Sequence, residues 1–121
     1  MRHSEDNLQI NMVRWFRLQY PELILHHSPN GGKRTQFEAM QFKRMGTIAG
    51  FADLFLLKAN KDYYGLFIEV KASNNNKQTE AQKRFEANVT KNGYKYVVCR
   101  SLDEFILEIN EYLNLELWKN S

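Results

Sequence analysis

Between Phe51 and Lys71 the chain holds two apolar runs of strand length, and both carry charge. Phe51-Ala52-Asp53-Leu54-Phe55-Leu56-Leu57 contains one carboxylate. Tyr63-Tyr64-Gly65-Leu66-Phe67-Ile68-Glu69-Val70-Lys71 contains a carboxylate and an amine. Lys58 to Asp62 makes a turn between them, so residues 51–71 are expected to form a hairpin. Runs this apolar suit central strands covered by helices, and that requirement limits the folds open to the chain.

The flanking segments supply candidate covers. Leu8, Met12, Trp15, Phe16 and Leu18, with Val13 beside them, give an approximate helical stripe over Glu5 to Tyr20. Ser4 is a plausible cap, and Pro21 stops the helix because the residue before a proline leaves the α region. Leu23 to His27 reads as a short strand, and Pro29-Asn30-Gly31-Gly32 as a turn. Thr35 to Arg44 can form a short helix, with Gly46 and Gly50 marking a loop after it. Ser73 to Lys77 is an Asn-rich loop. Thr79 to Asn92 is a helix capped by Thr79 and stopped by Gly93. Tyr94 to Cys99 is a strand, and Ser101 caps an amphipathic helix that includes Leu102, Phe105, Ile106, Ile109, Tyr112 and Leu113. The expected order is α, β, an optional short α, β-hairpin, α, β, α: a mixed α/β fold in one domain over residues 1–121.

Composition closes off several classes of function. The 121 residues include a single cysteine, Cys99, which excludes an internal disulfide framework and a Cys-rich zinc site. No stretch approaches the length of a membrane span, so no membrane partner is expected. The polar N-terminus leads into no apolar signal core, so a cytoplasmic location is expected. The net charge of +3 hides an asymmetry: the first hundred residues carry +7 and the last 21 carry −4. A basic body either is an ordinary solvated surface or serves a polyanionic partner.

Asp53, Glu69 and Lys71 carry the chemistry. Each lies in or beside an apolar strand, where a charge is costly without a partner or a metal. Glu69 and Lys71 are two apart and share one face of their strand. In the hairpin the start of the first strand lies opposite the end of the second, so Asp53 and Glu69 meet at the open end. Two carboxylates there repel, and a hard cation such as Mg²⁺ relieves the repulsion. The ion can polarise a phosphodiester, and Lys71 can orient water or stabilise charge on phosphorus. Spacing by itself fits a solvated ion pair too.

The wider pattern is more specific. Gly46-Thr47-Ile48-Ala49-Gly50-Phe51-Ala52-Asp53-Leu54, then Gly65-Leu66-Phe67-Ile68-Glu69-Val70-Lys71, then Gln82 and Gly93-Tyr94 occur in order at compatible spacing. Together they resemble the VRR-NUC (virus-type replication-repair nuclease) domain of the PD-(D/E)XK restriction-endonuclease-like superfamily, from about Glu5 to Tyr112. The resemblance implies a restriction-endonuclease-like core: a mixed sheet with a central hairpin flanked by helices. It implies Asp53 and Glu69 as ligands for Mg²⁺ or Mn²⁺, Lys71 as the catalytic lysine and Gln82 as a residue that helps position the active site. It also implies an acid in the first helix that completes the metal shell. Glu5 is the candidate, with Gln9 one turn on and a helix-capping role for Glu5 as the alternative. Ala52 stands where the superfamily nominally has proline, which is not a ligand.

The implied function is metal-dependent hydrolysis of DNA. Stand-alone, phage-type members exist at about this size and some act on branched DNA, so Holliday-junction or other structure-selective cleavage is the preferred refinement. A two-fold homodimer would present two sites to a four-way junction. The last helix and residues 21–50 are the candidate dimer surface. Asn30, Lys33, Arg34, Lys43 and Arg44 precede the acids and can contact phosphates or form an exposed loop. His26 and His27 should point to opposite faces of one strand and are read as structural or surface residues. Trp15, Phe16, Phe85 and Phe105 are expected in the core, and Cys99 as a buried small hydrophobe. The alternative to an enzyme is a non-catalytic DNA-binding module of the same fold.

Overall fold

The computed structural model describes the backbone of residues 2–29 and 35–120 and the side chains of residues 4–29 and 35–114. The elements are α1 (Arg2–Gln19), β1 (Leu25–His27), α2 (Gln36–Arg44), β2 (Leu54–Leu56), β3 (Leu66–Val70), α3 (Glu80–Lys91), β4 (Lys95–Cys99) and α4 (Leu102–Asn120). The order is the one the sequence predicts, with the second helix present. Among the described residues no helix is long and apolar enough to cross a membrane.

The sheet runs β1-β2-β3-β4. β1–β2 and β2–β3 are antiparallel, while β3 and β4 are parallel and joined through α3. Every residue of β3 is buried, because helices cover both sheet faces. On one face Leu54, Leu56, Leu66, Ile68, Val70 and Cys99 pack against Met12 and Phe16 of α1 and Phe105, Ile109, Tyr112 and Leu113 of α4. Burial of each large apolar side chain contributes roughly 1.5–3 kcal/mol. On the other face Phe67 and Tyr96 meet Phe85 and Val89 of α3, with Ala52 beside them.

The strands are shorter than the apolar runs that contain them. At the closed end of the hairpin, Asn60 is buried and captures the turn. Its Oδ1 accepts from the backbone N–H groups of Asp62 (2.9 Å) and Tyr63 (2.8 Å), while its Nδ2 donates to the carbonyl of Tyr112 (3.0 Å). Tyr112 in turn donates its hydroxyl to the carbonyl of Lys58 at 2.7 Å. Turn groups satisfied by side chains and by α4 do not join the ladder. At the other end of the chain path, the loop before β2 is pressed onto α3. Gly50 has φ +81°, and a Cβ there would lie 2.4 Å from the backbone of Ala81. Only glycine fits both the dihedral and the contact.

α3 begins with a capping box: Thr79 Oγ1 accepts from Gln82 N at 3.1 Å, and Gln82 Oε1 accepts from Thr79 N at 2.9 Å. α2 has the same device in Thr35 and Glu38. It differs in having no buried residue.

Candidate active site

Leu54 pairs with Ile68, so the hairpin register carries on to set Asp53 opposite Glu69. Side chains alternate along strands, and the β3 face turned toward α3 therefore bears Phe67, Glu69 and, just past the strand, Lys71. Asp53 Oδ2 accepts from the backbone N–H of Val70 at 2.8 Å. A side chain thus continues the ladder where β2 itself has ended, and it fixes the carboxyl group beside Glu69.

Glu69 is only 3% exposed. Gln82 donates Nε2 to its Oε2 at 2.8 Å, and Tyr96 donates its hydroxyl toward Oε1 at 3.4 Å. The capping box explains the choice of Gln82. A glutamate at this position would close the same box, but it would offer Glu69 no donor and would add a third carboxylate. Tyr96 is held in its turn by Gln78, whose Nε2 lies 3.3 Å from the tyrosine oxygen and 2.8 Å from Glu86 Oε1.

Burial, and then the charge of Asp53 and a hydrogen bond with it, push the Glu69 carboxyl up to about 9, against the opposing pull of Lys71 and Tyr96. Without a cation, the pair therefore keeps a proton at neutral pH. Burial and the neighbouring Glu69 also raise the Tyr96 hydroxyl, which stays protonated as a donor. Lys71 is 9% exposed, and its backbone N–H donates to the carbonyl of Cys99 at 3.1 Å. Among the described residues its ammonium has no ion-pair partner.

The structure brings Asp53, Glu69 and Gln82 together with Lys71 on the same strand face. It places Glu5 differently from a third ligand already in position. The Glu5 carboxylate accepts from Asn76 Nδ2 at 2.7 Å, which ties α1 to the loop after Lys71. Among the described residues no group of three or more His, Cys, Asp and Glu side chains is assembled to hold a metal. Gln9 lies next to His27 instead, with Nε2 3.0 Å from the ring Nδ1. That nitrogen is also 2.9 Å from the carbonyl of Asp53. A carbonyl only accepts, so Nδ1 is the donor in that contact, and the Gln9 amide is a close neighbour of the ring rather than a donor to the same nitrogen.

Lys43 and Arg44 are exposed at the end of α2, and Arg44 donates to Gln41 Oε1 at 3.2 Å. Asn30, Lys33 and Arg34 lie outside the described residues. Sequence reasoning gave no functional weight to Tyr96, Asn76 or the contact of His27 with Asp53. The register β3–β4 pairs Phe67 with Tyr96, and a parallel pairing across a helical crossover leaves no local sequence signal. Phe16, Phe85 and Phe105 are buried, as is Cys99, whose thiol burial and the nearby Glu108 and Glu104 push up to about 12.

A family profile described as the VRR-NUC domain matches residues 1–103. Comparison with curated proteins gives no match. Among solved structures, one described as a "VRR_NUC domain protein" is similar with a TM-score of 0.78 and 35% identity. The similarity covers 93% of this chain and 89% of that one. VRR-NUC domains are nuclease-type domains with DNA as substrate, typically dependent on a divalent metal. On the extent of the profile match and of the structural similarity, the chain belongs to the VRR-NUC family.

Proposed function

We propose that this protein is a divalent-metal-dependent DNA endonuclease, selective for branched DNA and active as a homodimer. The observation that carries the reading is the apposition of Asp53 and Glu69, with Lys71 on the same strand face and Gln82 and Tyr96 holding Glu69.

The residues fit a hard divalent ion. Their donors are carboxylate oxygens, and burial together with the neighbouring Asp53 disfavours the charged form of Glu69, a cost that a cation would offset. Mg²⁺ binds through one or two carboxylates and keeps several waters, so a pair is enough. Asp53 and Glu69 would hold Mg²⁺ or Mn²⁺, with Glu5 able to join after leaving Asn76. When bound, the ion polarises the phosphodiester and lowers the pKa of the attacking water. Gln82 and Tyr96 keep the Glu69 oxygens aimed while its proton is given up. Lys71 supplies a fixed positive charge for the charge that builds on phosphorus, in a setting drier than bulk solvent.

The dimer draws support from α2. Phe37 (68% exposed) and Met45 (78%) stand open with Met40 and Ile48 nearby, and no residue of the helix is buried. A nine-residue helix with no buried residue gains little from the core, and an exposed apolar patch of this kind suits an interface. Two sites related by a two-fold axis suit a symmetric junction.

The test is cleavage of labelled single-stranded DNA, duplex, flap, splayed arm and four-way junction, each with Mg²⁺, Mn²⁺ or EDTA. Metal-dependent cutting, fastest on branched DNA and lost in Lys71→Ala, is expected. Paired nicks across the junction would report the dimer. DNA binding without cutting under any ion would overturn the enzyme reading in favour of a binding module.

A further inference from the structure

α1 carries two arginines that the proposed chemistry does not use. Arg14 and Arg17 are exposed and three residues apart, hence neighbours on one side of the helix. Among the described residues neither has an ion-pair partner. Arg17 complements the carbonyl end of the helix, but Arg14 lies in its middle, where no such role exists. Together with Gln9, Ile10, Val13 and Leu18 they line a shallow, open hollow of about 440 Å³ on the surface of α1 itself. Its floor is aliphatic, with Ile10 and Leu18 exposed rather than packed in the core.

One end of this surface lies beside the main chain of the site. Gln9 touches His27, and His27 touches the carbonyl of Asp53. Gln9, Val13 and Arg17 follow one another at intervals of four residues, so they form one row along the helix. A rise of 1.5 Å per residue sets Arg17 about 12 Å beyond Gln9 along the axis. We infer that the row from Gln9 to Arg17, with Arg14 beside it, is a track for the sugar–phosphate backbone of a nucleic-acid strand leading to Asp53. The aliphatic floor matches the apolar sugar edge. The two guanidinium forks match successive phosphates, which they can bind in bidentate fashion.

This inference rests on DNA being the ligand of the site, and it says which surface holds the strand. The probe is a fluorescein-labelled DNA duplex in EDTA, followed by anisotropy over a series of salt concentrations. Arg14→Gln/Arg17→Gln is compared with the wild type and with Lys61→Gln/Lys91→Gln. The control pair removes the same charge at the closed end of the hairpin and the C-terminal end of α3, away from the acids. Loss of two phosphate contacts is expected to flatten the slope of log K against log salt by about 1.8. Each single variant should flatten it by about 0.9, and the control should keep the wild-type slope. A wild-type slope in Arg14→Gln/Arg17→Gln overturns the track, as does an equal change in the control. So does a shift in oligomeric state with DNA binding intact, which would assign this surface to a second copy of the chain. Failure of the enzyme reading looks different: the wild type binds on this track and does not cut when Mg²⁺ is added.

Discussion

Leu66, Ile68 and Val70 on one face of β3 are buried to nearly the same degree as Phe67, Glu69 and Lys71 on the other. The first set packs in an apolar cluster with residues of α1 and α4. The second begins in an aromatic layer, where Phe55 stacks on Phe67 with centroids 4.2 Å apart, and ends in charge at the open end of the hairpin. Burial alone therefore does not mark a residue as structural. On the apolar face removal from water is favourable at every position. On the charged face it is unfavourable at Glu69, and it makes each electrostatic interaction there stronger. Stability is given up on one side of a strand that the other side anchors, a common arrangement where activity is at stake.

The comparison is broken most sharply by Glu69→Gln. Cleavage should fall by a factor on the order of 10³ or more. The metal-free protein should become more stable at neutral pH. The raised Glu69 carboxyl takes up a proton on folding between its ordinary range and about 9, so wild-type stability falls as pH rises through that window. Glutamine removes this dependence, and melts in EDTA at several pH values should show a gain on the order of 1–3 kcal/mol near pH 7. The opposite face should respond in the opposite way. Ile68→Ala, one residue away and fully buried, should cost about 2–5 kcal/mol in urea denaturation while the folded fraction still cuts DNA.

Smaller changes sharpen the contrast. Gly50→Ala forces a Cβ against Ala81 at a positive φ, next to the turn that carries Gln82. A loss of about 1–3 kcal/mol is expected, with slower cleavage per folded molecule because Gln82 shifts from Glu69. Tyr96→Phe removes one long hydrogen bond to Glu69 and the acceptor for Gln78. The expected cost is about 0.5–1.5 kcal/mol, read as up to a tenfold drop in kcat at unchanged DNA affinity. An unaltered kcat would reduce Tyr96 to a packing residue.

The charged face was legible in the sequence to an uneven degree. The hairpin turn and period-two alternation were enough to bring Asp53 opposite Glu69 and to put Lys71 on the same side. Thr79 and Gly93 marked the ends of α3. What depended on distant partners was not legible. Asn60 shortens the strands through contacts with Tyr112, and β1 starts at Leu25 because a turn follows Pro21. Tyr96 reaches Glu69 only through the parallel pairing with β3, and Asn76 reaches Glu5 across the molecule. His27 reads from sequence as a structural or surface residue and is exposed, but its contact with the backbone carbonyl of Asp53 depends on the β1–β2 pairing.

The central claim is that the charged face of β3 is built to hold a cation. Thermal melts of the wild type and Glu69→Gln, each with EDTA and with increasing Mn²⁺, test it without knowledge of the DNA substrate. The melting temperature is expected to rise with Mn²⁺ for the wild type and to stay flat for the variant. A flat wild-type response, or an equal rise in both proteins, would contradict it.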